Sequence, residues 1–192
     1  MSKELEKKVK SKKKRNIIIG IIIVAVALLL VVQFKFDAVN VVKDTLTGKE
    51  TVKATLEISC KPLSGDVTKL NDKSKAEYIP DNGVILEQTE YRMEKGDTAF
   101  DMLKQATTDE GIQAEYSYTQ AYDAYFIEGI SNLYNGDAGG MSGWLYYVNG
   151  KSPEYGISGY ELKDGDNILV IFSCDGGEDV DVRDLLPDDI SL

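Results

Sequence analysis

The feature that most constrains this chain is an uncharged apolar run from Ile17 to Val32. As a helix rising 1.5 Å per residue it spans roughly 24 Å, a little under a hydrocarbon core of about 30 Å. Gln33, Phe34 and Phe36 extend it to an aromatic edge, and Lys14 and Arg15 can snorkel at its other end. Ala25-Val26-Ala27 has the small-x-small pattern of a signal-peptide cleavage site, but it lies inside the run and Leu28 to Val32 follow it. The run also exceeds the roughly 7–15 residues of a secretory core. An uncleaved transmembrane anchor over residues 17–34 is therefore expected.

Charge sets its orientation. Of 22 Lys/Arg and 32 Asp/Glu, eight bases and two acids fall in residues 1–16, which leaves 14 bases and 30 acids for the rest. The first segment is +6 and the remainder −16. Positive charge stays inside, so 1–16 reads as a basic cytoplasmic tail and everything after the anchor as extracellular, on the outer face of the cell membrane. A part so acidic repels phosphate backbones, which excludes nucleic acid as a partner. The membrane is the partner of the N-terminal helix.

Beyond a polar stalk at 35–50 the chain has room for one ordinary domain, at 51–175. TVKATLEIS (51–59) alternates apolar and polar residues as a half-buried strand does, and VILEQTEYRME (84–94) reads as a second strand. Between them Pro62, Gly65, Pro80 and Asn82-Gly83 mark a loop, with a helical turn at Asp66–Leu70. The one clear helix follows. Asp97 or Thr98 can cap it, Phe100, Met102 and Leu103 with Ala99 and Ala106 form its apolar face, and Gly111 ends it. Further strands are predicted at 112–118, 124–130, 143–150 and 167–173, the third ending in the turn signal Asn149-Gly150. The fold class is α+β: a single mostly-β, grasp-like domain with one main helix against a mixed sheet. Residues 176–192 are acidic and poor in aromatics, and are expected to be a disordered tail.

The chain has no histidine, which removes the commonest general base and metal ligand. It has no nucleophile elbow and no P-loop. Asp137 and Glu154 could form a two-carboxylate site, but such coincidences are expected among so many acids, so the chain reads as a non-enzyme. The acidic strings at 164–167 and 175–181 lack calcium-loop spacing. The only cysteines are Cys60 and Cys174. In an oxidising compartment they read as a disulfide, the alternative being two free buried thiols. Tyrosine is abundant, 11 against 5 Phe, and mostly in the second half. Tyr and Trp suit binding surfaces, although alternation along strands must turn about half of them inward.

Met141-Ser142-Gly143-Trp144-Leu145-Tyr146-Tyr147-Val148-Asn149-Gly150, then Tyr155-Gly156 and Leu162-Lys163-Asp164-Gly165-Asp166, resembles the C-terminal domain of transcobalamin and gastric intrinsic factor. It is still more similar to bacterial exported relatives of that cobalamin-binding β domain, common in Gram-positive bacteria. The resemblance runs over roughly residues 51–180. It implies the Cys60–Cys174 pairing, because a second cysteine pair seen in many relatives would fall near Ala138 and Ile157 and both members are missing here. It also implies cobalamin as a ligand. The vitamin carriers close their site with a helical barrel, which this chain is too short to contain, so a protein partner would complete it.

Two readings of function follow. The first is a membrane-anchored extracytoplasmic module binding a corrinoid or another small molecule, without catalysis. The second is a cell-surface interaction or spacer domain with no small ligand. The hairpin region GWLYYVNG and its flanking loops hold the densest aromatic and glycine content, so the candidate ligand contacts are Tyr134, Trp144, Asn149 and Tyr155. The alternative for Trp144 is a core position under the helix, against Leu103 and Phe100.

Overall fold

The computed structural model describes residues 49–182. The tail at 1–16, the anchor at 17–34, nearly all of the stalk at 35–50 and the last ten residues lie outside them. Among the described residues no helix is long and apolar enough to cross a membrane. The described residues from Glu50 to Val182 belong to a compact unit of their own.

Four strands build the main sheet in the order β2-β1-β7-β6. β1 (Thr51–Ser59) sits between β2 (Val84–Glu94), to which it is antiparallel, and β7 (Asp166–Ser173), to which it is parallel. β6 (Gly143–Val148) pairs antiparallel with β7 and forms the second edge. The alternation read from β1 is realised: Ala54, Leu56 and Ile58 are buried while Lys53 is exposed. β7 has no such alternation because both of its faces are covered. Ile168, Val170 and Phe172 enter the main core. Leu169 and Ile171 face the other way, onto Leu145, Tyr147, Val180 and Val182.

A second sheet of three strands, β3-β4-β5, accompanies the first. β3 (Ala114–Thr119) and β4 (Ala124–Ile130) make an antiparallel hairpin with an irregularity after Glu115, and the two-residue β5 (Leu133–Tyr134) pairs with β4. The single mixed sheet expected from the sequence is thus two sheets. Among the described residues no ladder joins them. A side chain makes the bridge instead: Asn135 donates from Nδ2 to the Ile127 carbonyl at 2.8 Å and accepts the Trp144 N–H on Oδ1 at 2.9 Å.

The connection between β1 and β2 holds one turn of helix, α1 (Lys61–Ser64), and two 3-10 segments, Val67–Lys69 and Lys73–Tyr78. The main helix α2 (Ala99–Asp109) has the capping box its sequence offers. Thr98 Oγ1 accepts the Asp101 N–H at 3.2 Å, and Asp101 accepts the Thr98 N–H at 3.0 Å, which satisfies two otherwise orphaned donors. Gly111, at φ +65°, ends it. Its apolar face, Ala99, Phe100, Met102, Leu103 and Ala106, is buried in the main core.

Residues 174–182, the described part of the acidic segment after β7, are folded. Asp179 accepts from Ser173 Oγ and from the Cys174 N–H, and Ser173 Oγ in turn accepts the N–H groups of Asp175 and Gly177. These bonds fold residues 175–182 back along the sheet, where Val180 and Val182 cover Leu169 and Ile171. Acidic composition alone suggested disorder from 176. Those two valines and a buried sheet face waiting for them explain the order up to 182.

Candidate functional site

Of the eight exposed large hydrophobic residues among those described, four (Tyr118, Tyr122, Tyr125 and Phe126) lie on the β3–β4 hairpin. Strand register brings Tyr118 opposite Tyr125, with ring centroids 5.2 Å apart. Tyr125 stacks on Phe100 from the first turn of α2, at 4.5 Å and 13° between planes. Phe100 also takes Tyr116 edge-on at 4.9 Å. One face of the hairpin is therefore an aromatic pile, closed at the helix and open toward the tip. The opposite face carries Phe126, with Tyr122 edge-on to it at 6.3 Å. Tyr122 is 76% exposed and Tyr118 51%. Alternation cannot bury both faces of a hairpin covered on one side only, so the aromatics of the second face remain in solvent.

The hairpin is held rigidly. The Tyr118 phenol donates to Asp123 Oδ1 at 2.7 Å across the turn, a bond that pushes its pKa up. Ser117 donates to Glu128 across the strands. The Tyr125 N–H donates to Ser158 Oγ at 3.0 Å, tying β4 to the 3-10 segment Ile157–Gly159. Tyr155 sits beside that segment, stacked on Tyr160 at 6.3 Å and 17°, with its carbonyl accepting the Tyr146 phenol at 2.5 Å. Tyr155 is 55% exposed.

The surroundings are acidic. From Gln105 to Gly150 the sequence contains no lysine or arginine, while Asp109, Glu110, Glu115, Asp123, Glu128 and Asp137 fall in that stretch. The cations that reach the region come from outside it and lie over rings. Lys75 Nζ is 4.9 Å from the Tyr134 ring centroid and pairs with Asp137 at 2.6 Å, and Lys104 Nζ is 5.6 Å from that of Phe100.

The four contact residues expected from the sequence occupy different settings. Trp144 is 8% exposed, donates from Nε1 to the Leu133 carbonyl at 2.8 Å and lies edge-on to Phe172. It is a core residue that also pins β5. Asn149, at φ +50°, and Gly150, at φ +74°, make the expected two-residue turn, closed by both hydrogen bonds between Val148 and Lys151. The Asn149 side chain is spent on Asp166 and Asn167, both at 2.9 Å. Tyr134 is half-buried, bonded through its phenol to Glu115 and covered by Lys75. Tyr155 alone among the four is open to solvent. Sequence reasoning did not single out Tyr118, Tyr122, Tyr125 and Phe126. The usable signal was the cation-free stretch around them.

Asp137 and Glu154 do not form a pair of acids. Asp137 is held by Lys75 and by the Tyr134 N–H at 2.7 Å, and Glu154 is exposed on the loop after β6. Among the described residues no three Cys, Asp or Glu side chains are grouped to hold a metal ion. Asp164, in one of the two acidic strings, accepts the Lys53 N–H at 2.9 Å. Cys60 and Cys174 are free thiols in this structure. They are neighbours all the same. Burial, aided by the charge of Cys174, pushes Cys60 up to about 12, and burial, aided by Asp179, pushes Cys174 up to about 11.

Residues 96–173 match the family model described as a domain of unknown function, DUF4430. No match was found among curated proteins. The fold is similar to part of haptocorrin, crystallised in complex with Cbi, at 12% identity and a TM-score of 0.46. That likeness covers 65% of this chain but only 25% of haptocorrin. It is also similar to a protein from Ruminococcus gnavus ATCC 29149 described as a conjectural metal-binding protein, at 13% identity and a TM-score of 0.36, over 64% of this chain and 96% of the other.

Proposed function

We propose that this protein is a membrane-anchored extracytoplasmic recognition module that binds without catalysis. The observation that carries the reading is the solvent-exposed aromatic surface of the β3–β4 hairpin, with Tyr155 beside it, built on rings already fixed by stacking and hydrogen bonds. Immobilising floppy side chains costs about 0.5–1.5 kcal/mol each on association, and rings fixed in advance avoid much of that. The anchor and the outward orientation rest on the apolar run and the charge step at its start. In an oxidising location buried Cys60 and half-buried Cys174, near enough for the charge of one to act on the other, join as a disulfide.

Two kinds of occupant suit the module. A corrinoid or other small molecule follows from the sequence resemblance to transcobalamin-type β domains, with a protein partner closing the site. A macromolecular partner without a small ligand is favoured by one observation: the exposed rings lie on both faces of a protruding hairpin rather than around a cavity. The test is a binding screen of the chain from residue 50 onward against cobalamin, cobinamide, neutral oligosaccharides and peptides, with Tyr122→Ser/Phe126→Ser and Tyr155→Ser as companions. At least one probe should bind the parent and lose ten-fold or more in affinity with a ring variant of unchanged fold. A screen in which no bound probe responds to any ring variant would overturn the reading.

A further inference from the structure

We infer that the occupant of the β3–β4 hairpin is a cationic polypeptide segment, one carrying lysine or arginine side chains spaced along an extended chain. The inference rests on the binding reading above and names the partner class for that surface.

The exposed rings set the requirement and the charges select among candidates. A purely apolar partner would cover Tyr122 and Phe126 but would also desolvate Asp123 and Glu128 without compensation, which is costly. Asp123 adjoins Tyr122 in sequence, and Glu128, at the bulge of β4, accepts the hydroxyl of Ser117, the residue paired directly opposite Phe126. Neither carboxylate forms an ion pair among the described residues; each accepts one hydroxyl, from Tyr118 and Ser117. An anionic partner meets a region with no lysine or arginine from Gln105 to Gly150. A guanidinium or ammonium group satisfies both features together, lying over a ring face and pairing with the adjacent carboxylate.

The fold already contains that arrangement next door. Lys75 lies over the Tyr134 ring and pairs with Asp137, at the β5 edge of the same sheet. There the cation is supplied from within the chain. At Tyr122, Phe126, Asp123 and Glu128 the same ingredients are present and none of the protein's own described cations is recorded on them. The alkyl stems of Lys or Arg would add apolar contact to the rings.

The probe is a fluorescein-labelled peptide of alternating arginine and glycine, titrated against the chain from residue 50 onward, which forms its own compact unit. Saturable binding is expected, weakening at least ten-fold between about 10 mM and 300 mM salt as exposed charge pairs are screened. Tyr122→Ser/Phe126→Ser should weaken it ten-fold or more, and Asp123→Asn/Glu128→Gln by a similar factor. The remote double variant Glu77→Gln/Glu87→Gln removes equal charge and should change it less than two-fold. Circular dichroism and thermal melts confirm that each variant is folded. No binding at low salt, or an equal loss in the remote variant, overturns the inference. A neutral oligosaccharide or cobinamide that binds instead, losing affinity with the ring variant but not the carboxylate variant, overturns the cationic class and leaves the recognition reading standing.

Discussion

Asn135 Oδ1 accepts the backbone N–H of Trp144 at 2.9 Å, and this bond, with that from Trp144 Nε1 to the Leu133 carbonyl, ties together two sheets that share no strand ladder among the described residues. A Cβ on Gly143 would come within 2.8 Å of the same oxygen, so the bridge also requires glycine beside the tryptophan. Asn135→Ala strips a partner from the Trp144 N–H and another from the Ile127 carbonyl. It should cost about 1–3 kcal/mol in a urea melt. Gly143→Ala should lose a similar amount by displacing Asn135, and the double variant should cost less than the sum of the two, because both remove the same bridge.

Asp166 ties the Asn149 turn to the 160–165 loop. Its carboxylate accepts the Tyr160 phenol, the Lys163 N–H and the Asn149 amide, each at 2.9 Å, in a buried position. Asp166→Ala leaves those donors without an acceptor and should destabilise the domain by about 3 kcal/mol or more, among the largest effects of any polar substitution here. Equilibrium denaturation checks it.

The helix cap makes a smaller and cleaner test. Thr98→Ala removes the acceptor for the Asp101 N–H and should cost about 1 kcal/mol, whereas Thr98→Ser should be nearly neutral. Because the cap holds the turn that carries Phe100, mobility of the Tyr125 ring, read by NMR line shapes, should rise in the alanine variant.

The cysteine pair predicts a pH dependence that differs between reduced and oxidised protein. A thiol whose folded pKa is raised favours the folded state below its unfolded value and loses that contribution as pH rises toward the folded value. For Cys60, raised from 9.0 to about 12, and Cys174, raised from 9.0 to about 11, the window opens near pH 9. Reduced protein should therefore lose on the order of 1 kcal/mol or more between pH 8 and 10. Oxidised protein should lack this loss, and non-reducing peptide mapping should find Cys60 joined to Cys174. Labelling of both thiols in protein purified from the proposed outer-surface location would contradict the disulfide.

The proposed anchor predicts a protease pattern. Protease added to whole cells should remove the domain and spare residues 1–16, and the intact mass of membrane-extracted protein should include residues 17–34. A mature form beginning after Ala27 would contradict it.

Local pattern made most elements legible. The strands at 51–59, 84–94 and 124–130 have the bounds read from the sequence, the first because its alternation matches a half-buried strand. The Thr98 cap, the Gly111 stop and the Asn149-Gly150 turn each follow from backbone geometry that only a few residues satisfy. What stayed hidden was how those elements share their faces. Trp144 looked like a binding residue because composition cannot tell a tryptophan aimed at Leu133 and Phe172 from one aimed at solvent.

The sequence by itself determined the elements, the turns, the acidity of the domain and the apolar run before it, because each depends on residues near one another in the chain. Only the tertiary structure decided that the strands divide into two sheets, that Val180 and Val182 are folded onto β7, and that the rings of the β3–β4 hairpin are left in solvent. Those outcomes depend on which face finds a neighbour among residues far away along the chain. Burial is a property of that pairing and not of the residue.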